Sequence, residues 1–170
     1  MFKLRKFFKL FFLFIFFSTN VLAENKVVYL DLDFILSNTN VGKNLFSKLK
    51  KDEELQFKEF KTQELALKDE ENKILASKNI ISKDQLDLNI KEFQKKLEKY
   101  KKFKSDQVQI LKTKRNTEVL DLIKQINPLI EKYMTDNSIS ILIDKKNIFI
   151  ANKNYDITDN LIELINKNIK

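Results

Sequence analysis

A long segment of this sequence, from residue 43 to about residue 115, has no helix breaker. It contains neither glycine nor proline, and charged side chains are dense along it. Such a segment predicts helix, with one interruption at SKNIISKDQL, where Ser82 precedes Gln85 at the spacing of a capping box. The simplest prediction is two long helices joined by a tip near residues 78–82, forming an antiparallel hairpin.

The apolar residues of the hairpin recur at the spacing of a sparse coiled coil. The outgoing helix carries a seven-residue period, and the return helix alternates steps of four and three; these positions are Phe46, Phe60, Leu67, Ile74 and Ile81, then Leu86, Ile90, Phe93, Leu97 and Tyr100. Folding about the tip should bring Phe60 near Tyr100 and Leu49 near Leu111. A seam this narrow holds two helices together without burying them, so we expect the hairpin to project as an arm.

The rest of the chain predicts a small body. KVVYLD (26–31) and SISILID (138–144) read as strands, the second with Ile139, Ile141 and Ile143 on one face, and NIFIA (147–151) as its hairpin partner. Past residue 115 a broader apolar face extends to Tyr133 and suits packing on a body, with Pro128 expected to kink or restart the helix. A last helix should begin with Thr158 as N-cap and present Leu161, Ile162 and Ile165.

These segments predict an α+β fold. A β-containing oligomerisation body, residues 24–42 and 116–170, carries a helical hairpin arm, residues 43–115. Three short strands make a marginal core, and no cysteine is available for a disulfide, so we expect oligomerisation to stabilise the body.

The first 23 residues have the three parts of a secretory signal peptide. MFKLRKFFK is basic, LFFLFIFF is an uninterrupted apolar core, and STNVLA ends with small residues at Val21 and Ala23. The apolar core is too short to span a bilayer, which takes about 20 apolar residues. We therefore expect export to the periplasm, with cleavage after Ala23.

The composition excludes most catalytic sites. The chain has no histidine, no cysteine and a single glycine, which leaves no Ser-His or Cys-His system, no ordinary zinc site and no phosphate-binding loop. Asp31 and Asp33 could form a carboxylate pair for acid–base work or a hard metal ion, but a strand ending in a polar turn explains them more simply. We expect no enzyme, no cofactor and no metal.

Charge is divided unevenly between the two parts. Residues 43–115 hold 20 basic and 13 acidic side chains, a net of +7, whereas the rest of residues 24–170 holds 8 basic and 11 acidic, a net of −3. The segment KLEKYKKFK (96–104) concentrates lysine and aromatic residues as nucleic-acid-binding segments do. A solvated face on a lysine-rich helix is the simpler alternative.

Three segments resemble the Skp family, the OmpH-like periplasmic chaperones. VVYLDLDFILSNTNVGKNL is similar to the family's opening strand, turn and Gly-Lys entry into the first long helix. INPLIEKY resembles its proline-containing return, and ILIDKKNIFIANKNYDIT resembles its closing segment. Their order, with a signal peptide before them and a charged hairpin between, covers nearly all of the chain after residue 23.

The resemblance implies a homotrimer whose arms enclose a cavity and hold unfolded outer-membrane β-barrel proteins without ATP. We expect client or anionic-surface contacts from the lysines around 96–104, namely Lys95, Lys96, Lys99, Lys101, Lys102 and Lys104. The surface would be an anionic membrane or lipopolysaccharide. We assign the oligomerisation body to Val28, Leu30, Ile126, Ile139, Ile141 and Ile143.

Two other functions fit the residues. One is a structural or tethering coiled-coil protein of the cell envelope without chaperone activity. The other is a nucleic-acid-binding hairpin, which requires that the N-terminus is not a signal peptide; with export we expect no nucleic-acid partner.

Overall fold

A computed structural model describes residues 26–169, and the predicted α+β fold class is confirmed. The predicted signal peptide lies outside the described residues. Two strands and four helices follow in the order β1 (Lys26–Leu30), α1 (Leu32–Asn38), α2 (Asn40–Ser77), α3 (Lys83–Asp136), β2 (Ile139–Asp144) and α4 (Thr158–Asn168). Two short 3-10 turns, Lys145–Asn147 and Lys153–Tyr155, connect β2 to α4.

The two strands form a parallel sheet in which Val28 pairs with Leu142. The predicted hairpin is wrong, because residues 147–151 form no strand. The Asp144 carboxylate accepts a hydrogen bond from the N–H of Lys146 and begins a 3-10 turn, which leads the chain away from β2. The chain meets the sheet again where the N–H of Ile157 donates to the carbonyl of Tyr29.

The isoleucines of β2 do not share one face, contrary to the prediction. Lys26 pairs with Ile139 and Val27 with Ile141, so β2 has one residue more than β1 at this point. An inserted residue reverses the face to which the following side chains point. Ile139 is consequently 7% exposed and belongs to the core, whereas Ile141 is 50% exposed.

The core of the body lies between the sheet, α1, the second half of α3 and α4. Its buried side chains are Val28, Leu30, Ile35, Leu36, Leu122, Ile126, Ile130, Ile139, Ile157, Leu161 and Ile165. The broad apolar face predicted for α3 packs here, and so does the predicted stripe of α4. At about 1.5–3 kcal/mol for each large side chain fully removed from water, this cluster supplies most of the body's stabilisation.

α3 continues through Pro128, so the predicted restart of the helix at this residue is wrong. Proline removes one backbone donor and costs about 3 kcal/mol in a helix interior. Ile126 and Ile130, on either side, are 0% and 8% exposed. Their burial offsets the cost, because breaking the helix here would expose both.

A seven-residue helix, α1, follows β1 where a polar turn was expected. Asp31 is its N-cap, and its carboxylate accepts a hydrogen bond from the N–H of Phe34 at 3.0 Å. Ile35 and Leu36 lie in the core on its buried face. The acidic end of the strand therefore begins a helix, which accounts for Asp31 structurally.

The junction between α1 and α2 is tightly packed. Thr39 is fully buried, donates its N–H to the carbonyl of Ile35, and accepts the N–H of Gly42 on its side-chain oxygen. Gly42 lies directly against the end of α1, where a Cβ atom would be 1.7 Å from the carbonyl oxygen of Leu36. Glycine is required here by close backbone approach.

Thr158 is the first residue of α4 and not its N-cap, which is Ile157. The threonine hydroxyl instead accepts the N–H of Asp31 at 2.9 Å and donates to the carboxylate of Asp156. Thr158 thus joins the start of α4 to the end of β1, a long-range contact that capping patterns do not reveal.

Candidate functional site

The arm is the antiparallel pair formed by α2 and the first half of α3. α2 ends at Ser77 and α3 begins at Lys83, with Ser82 as N-cap accepting the N–H of Gln85. The predicted helix start at Ser82 is confirmed, but only half of the capping box forms, because the Gln85 side chain donates to Asn89. At 1.5 Å per residue the 38 residues of α2 extend about 57 Å, far more than the body needs for its own packing.

The seam between the helices is thin, as the apolar spacing predicts. Leu49 and Phe60 are its buried side chains on α2, at 3% and 2% exposure. The ring of Phe60 meets that of Phe103 edge-on at 6.1 Å, and the hydroxyl of Tyr100 reaches the carbonyl of Phe60. The predicted proximity of Phe60 and Tyr100 is confirmed. Elsewhere along the arm the seam is half-exposed.

A polar cluster fixes the register beside Phe60. The carboxylate of Glu64 accepts hydrogen bonds from the hydroxyl of Tyr100 at 2.6 Å and the ammonium of Lys104 at 2.7 Å. Bonding to Lys104, and then to Tyr100, lowers the pKa of Glu64. Burial and the neighbouring carboxylate raise the pKa of Tyr100. Both donors therefore stay protonated at neutral pH, and the cluster persists across that range.

Ion pairs bridge the two helices along the arm's length. They are Lys48–Glu118 at 3.3 Å, Asp52–Lys114 at 2.6 Å, Glu53–Arg115 at 3.4 Å, Glu64–Lys104 at 2.7 Å and Glu70–Lys96 at 2.7 Å. Exposed pairs are each worth about 0–1 kcal/mol, so they contribute more to register than to stability.

The six lysines assigned to contact with clients or anionic surfaces divide into two groups. Lys96 and Lys104 are engaged across the hairpin with Glu70 and Glu64. The other four, which are exposed and have no acidic partner within ion-pairing distance in the described chain, are Lys95, Lys99, Lys101 and Lys102. This second group carries the arm's available positive charge in this segment. Sequence alone does not separate the groups, because the pairing partners lie on the other helix.

The arm also exposes large apolar side chains. Those at least 37% exposed are Leu55, Phe57, Leu65, Leu75, Ile80, Leu88, Ile90, Val108 and Ile110. Leu55 and Phe57 are two positions apart and therefore point about 200° apart around α2. The exposed apolar surface thus does not form one stripe; it offers many separate contacts beside the lysines.

The residues assigned to the oligomerisation body lie on two sides of the sheet. Val28, Leu30, Ile126 and Ile139 are buried in the chain's own core. Ile141 is exposed, and Ile143 lines a cavity of about 840 Å³ together with Val27, Ile148, Ile150 and Tyr155.

Phe149 and Ile150, which the sequence assigned to a strand, are 103% and 83% exposed. Ile150 lines the cavity, Phe149 precedes it in the chain, and Ile141 pairs with the cavity residue Val27. We call these apolar residues together the open face of the body: Val27, Ile141, Ile143, Phe149, Ile150 and Tyr155. No single pattern in the sequence indicates it, since its members come from three separate segments.

The described residues contain no cluster of three or more acidic side chains arranged for a metal ion. Asp31 accepts hydrogen bonds as a helix cap and pairs with Lys145 at 3.4 Å. Across residues 26–169, no helix has an apolar stretch long enough to cross a membrane.

No curated protein matches the chain. A crystal structure from Caulobacter crescentus CB15, of a protein named as a candidate outer membrane chaperone (OmpH-like), matches with a TM-score of 0.76 and 21% identity over 85% of each chain. That likeness shows a shared fold. The family model described as "Outer membrane protein (OmpH-like)" matches residues 26–165. The chain therefore belongs to the OmpH-like family, and the resemblance to the Skp family is confirmed.

Proposed function

We propose that this protein is an ATP-independent holdase chaperone of the periplasm, which binds unfolded outer-membrane β-barrel proteins and prevents their aggregation. The observation that carries the proposal is the arm. It is about 57 Å long, held by a thin seam, and exposes apolar side chains and unpaired lysines together. Membership of the OmpH-like family supports the same function.

The arm's chemistry suits varied clients better than a single ligand. Exposed positive charge accelerates encounter with acidic polypeptides, and scattered apolar side chains then hold them through many weak contacts. Neither step needs a nucleotide, a metal or a catalytic residue.

The open face of the body is the surface through which three copies would assemble into a homotrimer. A two-stranded sheet is marginal by itself, and large apolar side chains such as Phe149 and Ile150 are costly to leave in water. Ile141→Asp should break assembly and leave a folded monomer, because Ile141 is exposed. Ile126→Asp should instead unfold the body, because Ile126 is fully buried. Sedimentation and circular dichroism of both variants separate the outcomes, and an intact Ile141→Asp oligomer would place the interface elsewhere.

Periplasmic location rests on the predicted signal peptide. N-terminal sequencing of the protein purified from the periplasmic fraction should begin at Glu24. Protein retained in the cytoplasm with an intact N-terminus would reopen the nucleic-acid alternative.

The function is tested by light scattering of a diluted, urea-unfolded outer-membrane β-barrel protein. Residues 24–170 should suppress its aggregation. A variant lacking residues 52–109, with the helices joined by a short turn, should remain a folded oligomer and lose the suppression. Full activity without the arm would refute the proposal. Equal binding of folded and unfolded partners would favour a tethering protein of the envelope.

Anionic membrane or lipopolysaccharide is a second partner that the unpaired lysines favour. Co-sedimentation of the protein with vesicles containing phosphatidylglycerol should fall when Lys95, Lys99, Lys101 and Lys102 are replaced by glutamine. Unchanged co-sedimentation would leave the polypeptide as the arm's partner.

A further inference from the structure

A groove crosses the middle of the arm where the apolar seam is incomplete. Its floor is formed by Ala66 and Leu67 of α2 and by Tyr100 and Phe103 of α3, and its volume is about 410 Å³. The seam positions before and after Leu67 on α2 are Gln63 and Glu70. Both are polar, so no large apolar side chain fills the seam at these two positions.

The aromatic floor is fixed by contacts on its far side. Tyr100 is held by its hydrogen bond to Glu64, and Phe103 by its edge-on contact with the buried ring of Phe60. Both rings nevertheless remain half-exposed. They form a preorganised apolar surface that can accept another side chain without rearranging the seam.

The rim of the groove is basic. Lys96 lies on it and is neutralised by Glu70 at 2.7 Å, whereas Lys99 lies on it and has no acidic partner within ion-pairing distance. Lys95 and Lys102 are also unpaired and lie on the same side of α3 as Lys99, within one turn, whereas Lys101 points away from the groove. An occupant therefore needs an apolar side chain for the floor and a negative charge for the rim.

We propose that this mid-arm groove is a binding site for a segment of unfolded polypeptide in which an aromatic residue adjoins an acidic one. The inference rests on the proposed holdase function and specifies where on the arm a client is held. The groove favours polypeptide over membrane, because its apolar floor lies between two helices and accepts a single side chain, whereas a bilayer surface presents charged headgroups to the rim alone.

The groove can be closed without disturbing the helix. Ala66→Leu should fill it, and both residues are strong helix formers. Ala76→Leu is the matched control, because Ala76 is likewise exposed on α2 and lies outside the groove. Binding is measured by fluorescence anisotropy of a dye-labelled unstructured peptide carrying a Phe-Asp pair. Ala66→Leu should weaken binding at least five-fold and Ala76→Leu should leave it unchanged.

The rim is tested by Lys99→Gln, with Lys91→Gln as the control at an exposed lysine outside the groove. Lys99→Gln should weaken binding of the Phe-Asp peptide several-fold and leave a Phe-Asn peptide unaffected. The melting curve of Ala66→Leu would reveal whether that substitution alters the seam. Lys99→Gln lies on the surface, so it still tests the site in that case.

Three outcomes overturn the site. One is equal peptide affinity for Ala66→Leu and Ala76→Leu with unchanged melting curves. Another is equal loss of both peptides in Lys99→Gln. The last is a Lys99→Gln effect confined to anionic vesicles. If the wild type still prevents aggregation in these cases, the groove fails and the holdase function stands; if the wild type does not, both fail.

Discussion

Replacing Gly42 with alanine tests whether the junction between body and arm is as tightly packed as its geometry indicates. The added Cβ would lie 1.7 Å from the carbonyl oxygen of Leu36 and 2.9 Å from the side-chain oxygen of Thr39. An ordinary contact begins near 3.4 Å, so the end of α1 and the start of α2 would have to separate by more than 1 Å. The obstructing atom is backbone and cannot rotate away.

The expected change in the free energy of unfolding is the sum of two losses and one gain. Overpacking a tight site costs about 1–3 kcal/mol and sometimes more. Displacing the Thr39 cap costs about 1 kcal/mol. Alanine recovers about 1 kcal/mol because its helix propensity exceeds that of glycine. The net expectation is a loss of about 1–3 kcal/mol, or a fall of about 3–9 °C in Tm for a chain of this size.

Thermal unfolding followed by circular dichroism measures this loss, with all proteins at the same concentration because assembly would shift the Tm. Asn44→Ala is the control, since Asn44 is exposed two residues further along α2 and should gain about 0.5 kcal/mol from propensity alone. If Gly42→Ala melts at or above the wild type, the junction is looser than described and the close-approach argument fails.

Three further predictions concern the arm. Phe60→Ala should cost about 3–5 kcal/mol locally, so amide hydrogen exchange should accelerate around the middle of the arm and stay slow in β1; uniform acceleration would contradict a separate seam. The pKa of Glu64 is lowered from its ordinary 4.5, so its contribution is present above that pH and is lost as the pH falls through the folded-state pKa. The Tm difference between wild type and Glu64→Gln should therefore vanish in acid, and a constant difference would refute the assignment. Replacing the unpaired lysines with glutamine should slow client association several-fold at low salt and barely change dissociation, as measured by stopped-flow at two ionic strengths; an unchanged on-rate would make them a solvated face. These lysines are Lys95, Lys99, Lys101 and Lys102.

The arm could be predicted because its signals are local. Absence of glycine and proline indicates continuous helix, and Ser82, three residues before Gln85, marks as N-cap where α3 begins. The apolar period then sets the register, which the contact between Phe60 and Tyr100 confirms. Each signal depends on residues close together in sequence or on a repeated spacing, and tertiary contacts do not override them.

The body was predicted less well because its arrangement depends on distant contacts. The sequence does not reveal α1, because its burial against α4 and in the core outweighs a short, turn-like sequence. The irregular register in β2 arises from pairing with β1 and cannot be read from alternating isoleucines. The local sequence predicts Thr158 as a helix cap, and nothing local indicates its contact with Asp31.

The sequence predicts that the candidate site is positively charged, but not which of its lysines are paired with acidic residues. Lysine-rich sequence around 96–104 indicates positive charge, but only the facing helix decides that Lys96 is neutralised and Lys99 is not. The groove likewise depends on the facing helix, because its floor combines Ala66 of α2 with Phe103 of α3. The open face of the body likewise combines three segments that a linear pattern keeps apart.

The parallel pairing of β1 and β2 has a consequence for how the chain acquires its structure. Lys26 pairs with Ile139, and closing a loop of roughly 110 residues costs about 4 kcal/mol in chain entropy if the loop is unstructured. Antiparallel zipping of α2 on α3 from the tip leaves only the short segments between β1 and α2 and between α3 and β2 to be closed. The arm should therefore form first and the sheet last. Under the proposed export to the periplasm, the body cannot be completed until β2 has crossed the membrane, so the sheet stays unformed while the chain is translocated.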